Sequence, residues 1–460
     1  MTSPLPSSSG ATALFGRWAS GLTYESIPRE VLDHARLCLL DCIGSALYGS
    51  TQQWGRIAAT TAVEMSSGHA TLWGHAATSG VSDAALVNGT AAHGFEIDDV
   101  HVSSLMHPGA VTIPAAFALA ERDHADGRRL LTAIVAGYEI GLRTGICAGI
   151  PHCIQGFHPT GTAGCPGAAA AAANLLGLDV DRTTHAIAIA ATQAAGLYSA
   201  VRTGAMTKRM HAGRAAQSGV VAALLARNGF TGSQDALEAA YGGFMSTLSD
   251  NQDLTPHAAS LGQVWETTKT GFKAYAACAS AHTIIDSLDA MMKQGLTRHN
   301  LKHVSIGMSE IGANNVGWAY HPTTVTGAQM NGYFTAAVKL IDGEAFIDQY
   351  TEDRIGDAAI LDLIGKISIA HDPELDKGGA ATRHAVRVKA TLTDDRTLEQ
   401  YVEQRRGSSH HPLGQGELET KFRRTAASAL GPQTTDQLMD AILDIEHCKD
   451  VGTLSRLLKP

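Results

Sequence analysis

Glu96, Asp98, Asp99, His101 and His107 fall within twelve positions of one another. They lie on a polar stretch between two runs of small apolar residues, VSDAALVNGTAAHGF and AVTIPAAFALAE. Carboxylates beside imidazoles, held between runs that can pack as helices, suit proton transfer better than a solvated turn. Pro108-Gly109 opens the second run, and proline costs little in a first helical turn because that N–H has no intrahelical partner. His107 is therefore expected at a helix entrance, facing the acidic loop. Taken alone, the stretch is explained equally well by an Asp98-Asp99 cap and a structural histidine. The same mixture of residues recurs downstream, which tips the balance toward chemistry.

Three further clusters carry it. GFHPTGTAGCPG at Gly156–Gly167 leads into an alanine-rich run. Glycines let a ligand approach the backbone, and the free N–H groups of a helix entrance favour an anion. His158 stands at its start, with Thr160 and Thr162 as hydroxyl donors, although close helix packing alone also explains the glycines. TGAMTKRMHAGR at Thr203–Arg214 brings Lys208, Arg209, His211 and Arg214 into seven positions, just before a small-residue helix. In an acidic chain this is the best place to hold substrate carboxylates. Lys208 is expected inside, whereas Arg209 taken alone reads as a solvated surface residue. GFKAYAACASAH at Gly271–His282 carries Lys273, Tyr275, Cys278 and His282 where the sequence texture changes, and clefts between domains are common ligand sites. Lys273 there could neutralise a carboxylate or, if desolvated, act as a base. Cys278 has no triad around it and reads as buried filler.

This inventory suits cofactor-free proton transfer on a small polycarboxylate: a base, plus fixed positive charge for the negative charge that develops. Dinucleotide and P-loop signatures are absent, as is any zinc-like Cys/His spacing, so neither a nucleotide nor a metal is expected. A non-catalytic binding protein for small acids would also use lysines and glycine-rich helix entrances. It would not need several imidazoles beside carboxylates. A net charge of −9 without a long basic run argues against nucleic acid or an anionic membrane as partner. No apolar run reaches the roughly 18–20 residues that span a bilayer. The opening MTSPLPSSSGATALFGRW lacks the basic start of a secretory signal and reads as a short flexible lead. Seven cysteines, an odd number without a CxxC pair, point to a reduced, cytoplasmic protein. Cys38 and Cys42 read as core.

The elements that must position these residues are mostly helices. Leu32, Ala35, Leu39, Cys42 and Ala46 mark one buried face of a helix over Ser26–Ser50, with Ser26 as cap and Pro28 in the first turn. Glycine- and alanine-rich helices follow to about residue 265, at Leu130–Ala148, Gly167–Leu176, Thr184–Ala200 and Gly213–Asn228, with no strand among them. Many glycines and few aromatics suit tight helix crossings. After Trp265 the texture changes. Lys302–Ile311, Lys366–Ala370 and His384–Leu392 alternate as strands, Thr393–Thr397 is a hairpin turn into LEQYVE, and Ala281–Gln294 and Gly327–Gly343 are helical. The tail, ELETKFRRTAASAL and TTDQLMDAILDI, is helical again and is expected to pack back on the first part. The fold expected is mainly α: an all-helical domain from 1–268 and 406–460, with an α+β lid domain, 269–405, inserted.

These motifs, in this order, resemble the MmgE/PrpD superfamily. The likeness rests on NG-x-x-AH-x-x-x-x-DD…HP at Asn88–Pro108, GFHPTGTAG at Gly156–Gly164 and TKRMHAGRAA at Thr207–Ala216. It continues through Lys273, Cys278 and His282 to HHPLGQGELETKF at His410–Phe422. It spans nearly the whole chain. Members include 2-methylcitrate dehydratase, cis-aconitate decarboxylase and iminodisuccinate epimerase. The resemblance implies a helical domain built from both chain ends, an inserted lid, a homodimer, and an active site in the cleft between the domains. It aligns Asp98, Asp99, His107, His158, Lys208 and Lys273 with the family's acidic pair, histidines and lysines.

The departures bear on the reaction. Relative to the decarboxylases, Glu96 stands for an Asp, Val100 for a Thr, Cys278 for a His, and Phe334 for an active-site Tyr, with Tyr333 adjacent. The loss of a hydroxyl and an imidazole counts against decarboxylation of cis-aconitate. The pattern resembles most the iminodisuccinate epimerases, so a two-base isomerase is expected, with a 2-methylcitrate dehydratase-like lyase as the alternative. His107, His158, Lys208 and Lys273 are the expected acid–base groups, with Asp98 orienting an imidazole. Glu96, Asp99, Thr160, Arg209, Tyr275 and His282 are the expected substrate contacts.

Overall fold

Helix Arg29–Ser50 buries Val31, Leu32, Ala35, Leu39, Cys42 and Ala46, as the three-and-four spacing predicts. Its cap is Pro28, and Ser26 lies in a separate 3-10 turn, Tyr24–Ser26. The computed structural model describes residues 10–250 and 253–460, and the chain is mainly α-helical. Val81–Ala92, Gly109–Arg122 and Gly127–Ile154 pack on Arg29–Ser50, and Gly164–Leu175, Val180–Ala191 and Thr207–Arg227 pack on those and on each other, sharing one apolar core. Small residues let them close up. A Cβ added to Gly167 would lie 2.9 Å from both the Gly137 carbonyl oxygen and the Gly141 Cα, so this crossing requires glycine.

Several expectations about this core are corrected. The first nine residues of the expected flexible lead lie outside the described residues, but the rest forms helix Ala11–Gly21, which buries Phe15 and Ala19 against Val180–Ala191. That neighbour ends at Ala191, well short of Ala200, and Gly196 at φ 145° carries the chain onward as a loop. The basic cluster TKRMHAGR lies within the first turns of Thr207–Arg227 and not before it. A two-stranded ribbon, Ala70–Thr71 with Thr78–Ser79, interrupts the helices. Gly127–Ile154 is long and apolar enough to cross a membrane, which the absence of a continuous apolar run concealed; its apolar window is 94% buried within the protein.

From about Tyr275 a second core takes over. Its four-stranded sheet runs in the order Ile367–His371, Leu301–Met308, Val386–Leu392, Thr397–Val402. The first pair is parallel and the other two antiparallel. Val386–Leu392 alternates buried and exposed residues, the period-two signal visible in its sequence. The turn after it places Asp395 at φ 64°, where aspartate is tolerated. The helix expected over Gly327–Gly343 is two, Val325–Gln329 and Gly332–Asp342. Asn331 breaks it by accepting a hydrogen bond from the Phe334 N–H as the second helix's cap. The C-terminal helices, Gln415–Leu430 and Pro432–Leu443, return to Arg29–Ser50, and Leu418, Phe422 and Leu438 join the first core.

Candidate active site

Helix Val81–Ala92 ends at His93, and the acidic loop then crosses the interior before Gly109–Arg122 begins. Residues Gly94 to His101 are all buried, so the loop's polar groups must find partners inside the protein. Glu96 adopts φ 56°, a left-handed conformation rare for glutamate, which its ion pairs hold in place. Lys208 and Arg209, one turn into their helix, reach it from one side; Lys208 bonds Oε1 directly and Arg209 Nη1 lies 3.0 Å from the same oxygen. Lys273 donates to Oε2 at 2.8 Å. Burial pushes the Glu96 carboxyl up, but Lys208, Lys273 and Arg209 outweigh it and hold it well below the usual carboxylate range.

Asp98 organises the imidazoles. His93 Nδ1 lies 2.6 Å from Asp98 Oδ2, His107 Nδ1 3.2 Å from the same oxygen, and Lys273 Nζ 3.8 Å from Oδ1. Burial raises this carboxyl too, and the facing His107 and His93 bring it well below its ordinary value. Burial lowers both imidazoles against the pull of Asp98, His93 to about 3. Asp98 is the charged member, with His93 donating to it. The rings continue as a row. His93 meets His107 edge-on at 4.7 Å between centroids and stacks on His158 at 5.4 Å, and His158 Nδ1 lies 3.0 Å from His211 Nδ1. Burial, then the neighbouring His93, keeps His158 well below the usual imidazole range.

A cavity of about 620 Å³ opens over this assembly. Glu96, His107, His158, Lys208 and Lys273 line it, and Tyr198, Cys278, Ser280, Asn315 and Arg383 complete its walls. Neutral imidazoles and ammonium groups that line one cavity can accept a proton and stabilise an anion. Burial lowers Lys208 against the pull of Glu96, which makes its ammonium a better acid.

The remaining expected site residues stand behind or away from this cavity. Asp98 supports His107 from below. Asp99 accepts from the Gly109 N–H at 3.0 Å and from Tyr138 Oη at 2.7 Å, serving the helix start. Thr160 Oγ1 accepts from the His107 N–H at 3.1 Å, which fixes the backbone of that histidine. Arg209, expected at the surface, is fully buried and also donates to Thr326 Oγ1 at 2.8 Å. Tyr275 donates to Asp286 at 2.6 Å, and His282 packs on Tyr275 with Nε2 at the Ala277 carbonyl. His93 was missed, and His211, expected among the basic groups, joins the row of imidazoles through His158. The signal for His93 was its place five residues before Asp98 in the AH of the first motif.

One group among the described residues, His93, Asp98 and His107, has its ligand atoms within 4.8 Å of one another and could hold a metal ion. Lys273 beside Asp98 places a competing positive charge there.

Sequence comparison places this site among known proteins. The model of the MmgE/PrpD N-terminal domain matches residues 14–257, and that of the C-terminal domain matches 275–445. The cis-aconitate decarboxylase-like protein oryM of Aspergillus oryzae is 32% identical over 97% of each chain. The cis-aconitate decarboxylase of Aspergillus terreus is 30% identical, covering 98% of this chain and 96% of its own. That of Homo sapiens is 28% identical, covering 97% and 94%. Decarboxylases are lyases, which overturns the expectation of an isomerase. The chain belongs to the MmgE/PrpD family.

Proposed function

We propose that the protein is a lyase acting on a small polycarboxylate, and that it removes carbon dioxide from an unsaturated tricarboxylate of the cis-aconitate class. The observation that carries this reading is the convergence of Lys208, Lys273, His107 and His158 on one cavity, in a chain with relatives along its whole length that are named as cis-aconitate decarboxylases. When the carbon–carbon bond to the departing carboxylate breaks, its electron pair spreads over the adjoining double bond toward a remaining carboxylate. Lys273 supplies fixed positive charge for that pair. Lys208 or an imidazole N–H returns a proton to carbon as the double bond shifts. His93, through Asp98, orients His107.

Dehydration of a 2-methylcitrate-like hydroxy acid is the second reading. It is favoured by Val100 and Cys278, which line the cavity where the decarboxylase pattern has a hydroxyl and an imidazole. There, a neutral imidazole takes the carbon-bound proton while an ammonium protonates the leaving hydroxyl. The family resemblance further suggests a homodimeric cytoplasmic enzyme needing no metal or nucleotide, in which 269–405 acts as a lid; cavity walls contributed by Ser280, Asn315 and Arg383 support the lid.

Proton NMR with cis-aconitate, 2-methylcitrate and citrate separates the two. Carbon dioxide release with a new vinyl pair establishes decarboxylation; dehydration is established, without carbon dioxide, by a new vinyl signal from citrate or by the methyl doublet of 2-methylcitrate collapsing to an allylic singlet. No change in any of the three acids sinks the lyase reading and leaves a binding protein.

A further inference from the structure

The positive charge around Glu96 is already answered, because Lys208, Arg209 and Lys273 share its carboxylate. Arg383 is different. It lies just before strand Val386–Leu392, is 7% exposed, and lines the same cavity. Among the described residues its side chain makes one hydrogen bond, from Nε to His384 Nε2 at 3.0 Å, and no carboxylate pairs with it. A second guanidinium, Arg405, is 1% exposed, and none of its three nitrogens has a hydrogen-bond partner among the described residues. Asp286 acts on Arg405 through space, but its oxygens are engaged by Tyr275 Oη at 2.6 Å and the Arg406 N–H at 2.8 Å. The two arginines also repel each other. Unpaired buried cations are costly, and Arg383 on the cavity wall, with Arg405 adding its positive charge from within, forms a place prepared for an anion.

The neighbouring polar groups favour the same ligand. His384 Nε2 accepts from Arg383, so its proton resides on Nδ1, which lies 3.2 Å from Ser280 Oγ. Asn315 Nδ2 donates to the same oxygen at 3.3 Å. With its oxygen accepting twice, Ser280 has its hydroxyl proton left to donate, and Ser280 lines the cavity. Burial first, then the charges of Arg383 and Arg405, keeps His384 neutral, well below the usual imidazole range. Cys278 lines the same cavity as Glu96, Lys208, Lys273, Ser280 and Arg383.

We propose that Arg383 and the Ser280 hydroxyl form a subsite for a substrate carboxylate remote from the one that reacts at Lys208 and Lys273. This rests on the polycarboxylate reading above and adds what selects such substrates over monoacids. The guanidinium fork matches a carboxylate in two-point geometry, and Arg405 behind it adds potential without touching the ligand.

Calorimetric binding of tricarballylate, a saturated tricarboxylate with no hydroxyl or double bond to react, tests the subsite without turnover. Arg383→Met is expected to weaken binding about 30- to 100-fold, Arg383→Lys about 10-fold and Ser280→Ala about 5-fold. The thermal midpoint of Arg383→Met should hold or rise, because an unpaired cation has been removed. A merely structural arginine would lower the midpoint and leave affinity unchanged. Binding by Arg383→Met within about twofold of wild type overturns the proposal. So does the failure of wild type to bind at about 10 mM. If Arg383→Met does not fold, Arg383→Lys and Ser280→Ala carry the comparison. Arg383-dependent binding without turnover of cis-aconitate or 2-methylcitrate would keep the subsite and remove the lyase reading.

Discussion

Lys273 donates to Glu96 Oε2 at 2.8 Å across 177 positions of sequence, joining the acidic loop of the helical core to the start of the second core. Lys208 and Arg209 converge on the other oxygen, so one carboxylate holds three buried cations in place. Replacing Glu96 by Gln leaves those cations without their shared counter-charge. Removing one partner of a buried ion pair typically costs about 3–5 kcal/mol, and Glu96→Gln should lose at least that much stability in urea denaturation at pH 7. The pH dependence carries the same sign. A carboxyl held below its unfolded value contributes stability that is full above that value and is lost as pH falls toward the folded one. Below pH 4.5, wild type should therefore lose stability more steeply than Glu96→Gln. Parallel curves would remove Glu96 from the role of counter-ion.

The imidazoles predict the acid limb of activity. Burial lowers His93, His107 and His158, so each stays neutral below the ordinary 6.5. The rate kcat/KM on the active acid should stay flat as pH falls through 6.5 and decline only beneath it. Stability follows the same direction: a histidine with a lowered folded value favours the native state above 6.5 and opposes it as pH drops below. A half-maximal rate at 6.5 would mean that the catalytic imidazole is solvated.

Asp99 offers a contrast with its neighbour. Burial raises its carboxyl well above the usual range against the Tyr138 hydrogen bond, and it accepts from both the Gly109 N–H and Tyr138 Oη. Asn presents an oxygen to Gly109 and an N–H₂ to the tyrosine oxygen, so Asp99→Asn should cost under about 1 kcal/mol and retain most activity. Asp99→Ala loses the cap and leaves Tyr138 unpaired, at about 2–4 kcal/mol. A large loss of kcat in Asp99→Asn with full stability would instead place Asp99 at the substrate.

The sequence carried the elements and the site unequally, for physical reasons. Periodicity located Arg29–Ser50 and Val386–Leu392 because each buries one regular face. Clustering singled out Glu96, His107, His158, Lys208 and Lys273, which reach one cavity from loops and helix entrances. Arg209 was misplaced because its partners, Glu96, Thr326 and Gln329, are over 110 positions away and no local pattern announces them. Arg383 and His384 were invisible for the same reason: they precede an ordinary strand, and only the tertiary fold brings them to Ser280. The isomerase expectation rested on a few wall residues, and relatives along the whole chain that are named as decarboxylases overturn it.

Lys421 tests how the C-terminal tail supports the loop. Its Nζ donates to Asp41 Oδ1 at 2.6 Å on helix Arg29–Ser50 and to the Ile97 carbonyl, between Glu96 and Asp98. One side chain from the last part of the chain thus fixes both a core helix and the acidic loop. Burial raises the Asp41 carboxyl even with Lys421 beside it, so the pair is held under desolvation. Lys421→Met should cost about 3–5 kcal/mol, because it strands a buried carboxyl and an unpaired carbonyl. It should also lower kcat by about 10-fold or more, since a loop shift of even 1 Å misaligns Glu96 and Asp98. The double variant Asp41→Asn/Lys421→Met restores neutrality at one end only. It should recover most of the stability while leaving kcat low, because the Ile97 carbonyl is still released. Recovery of both would show that Lys421 acts on Asp41 alone and that the tail does not set the loop.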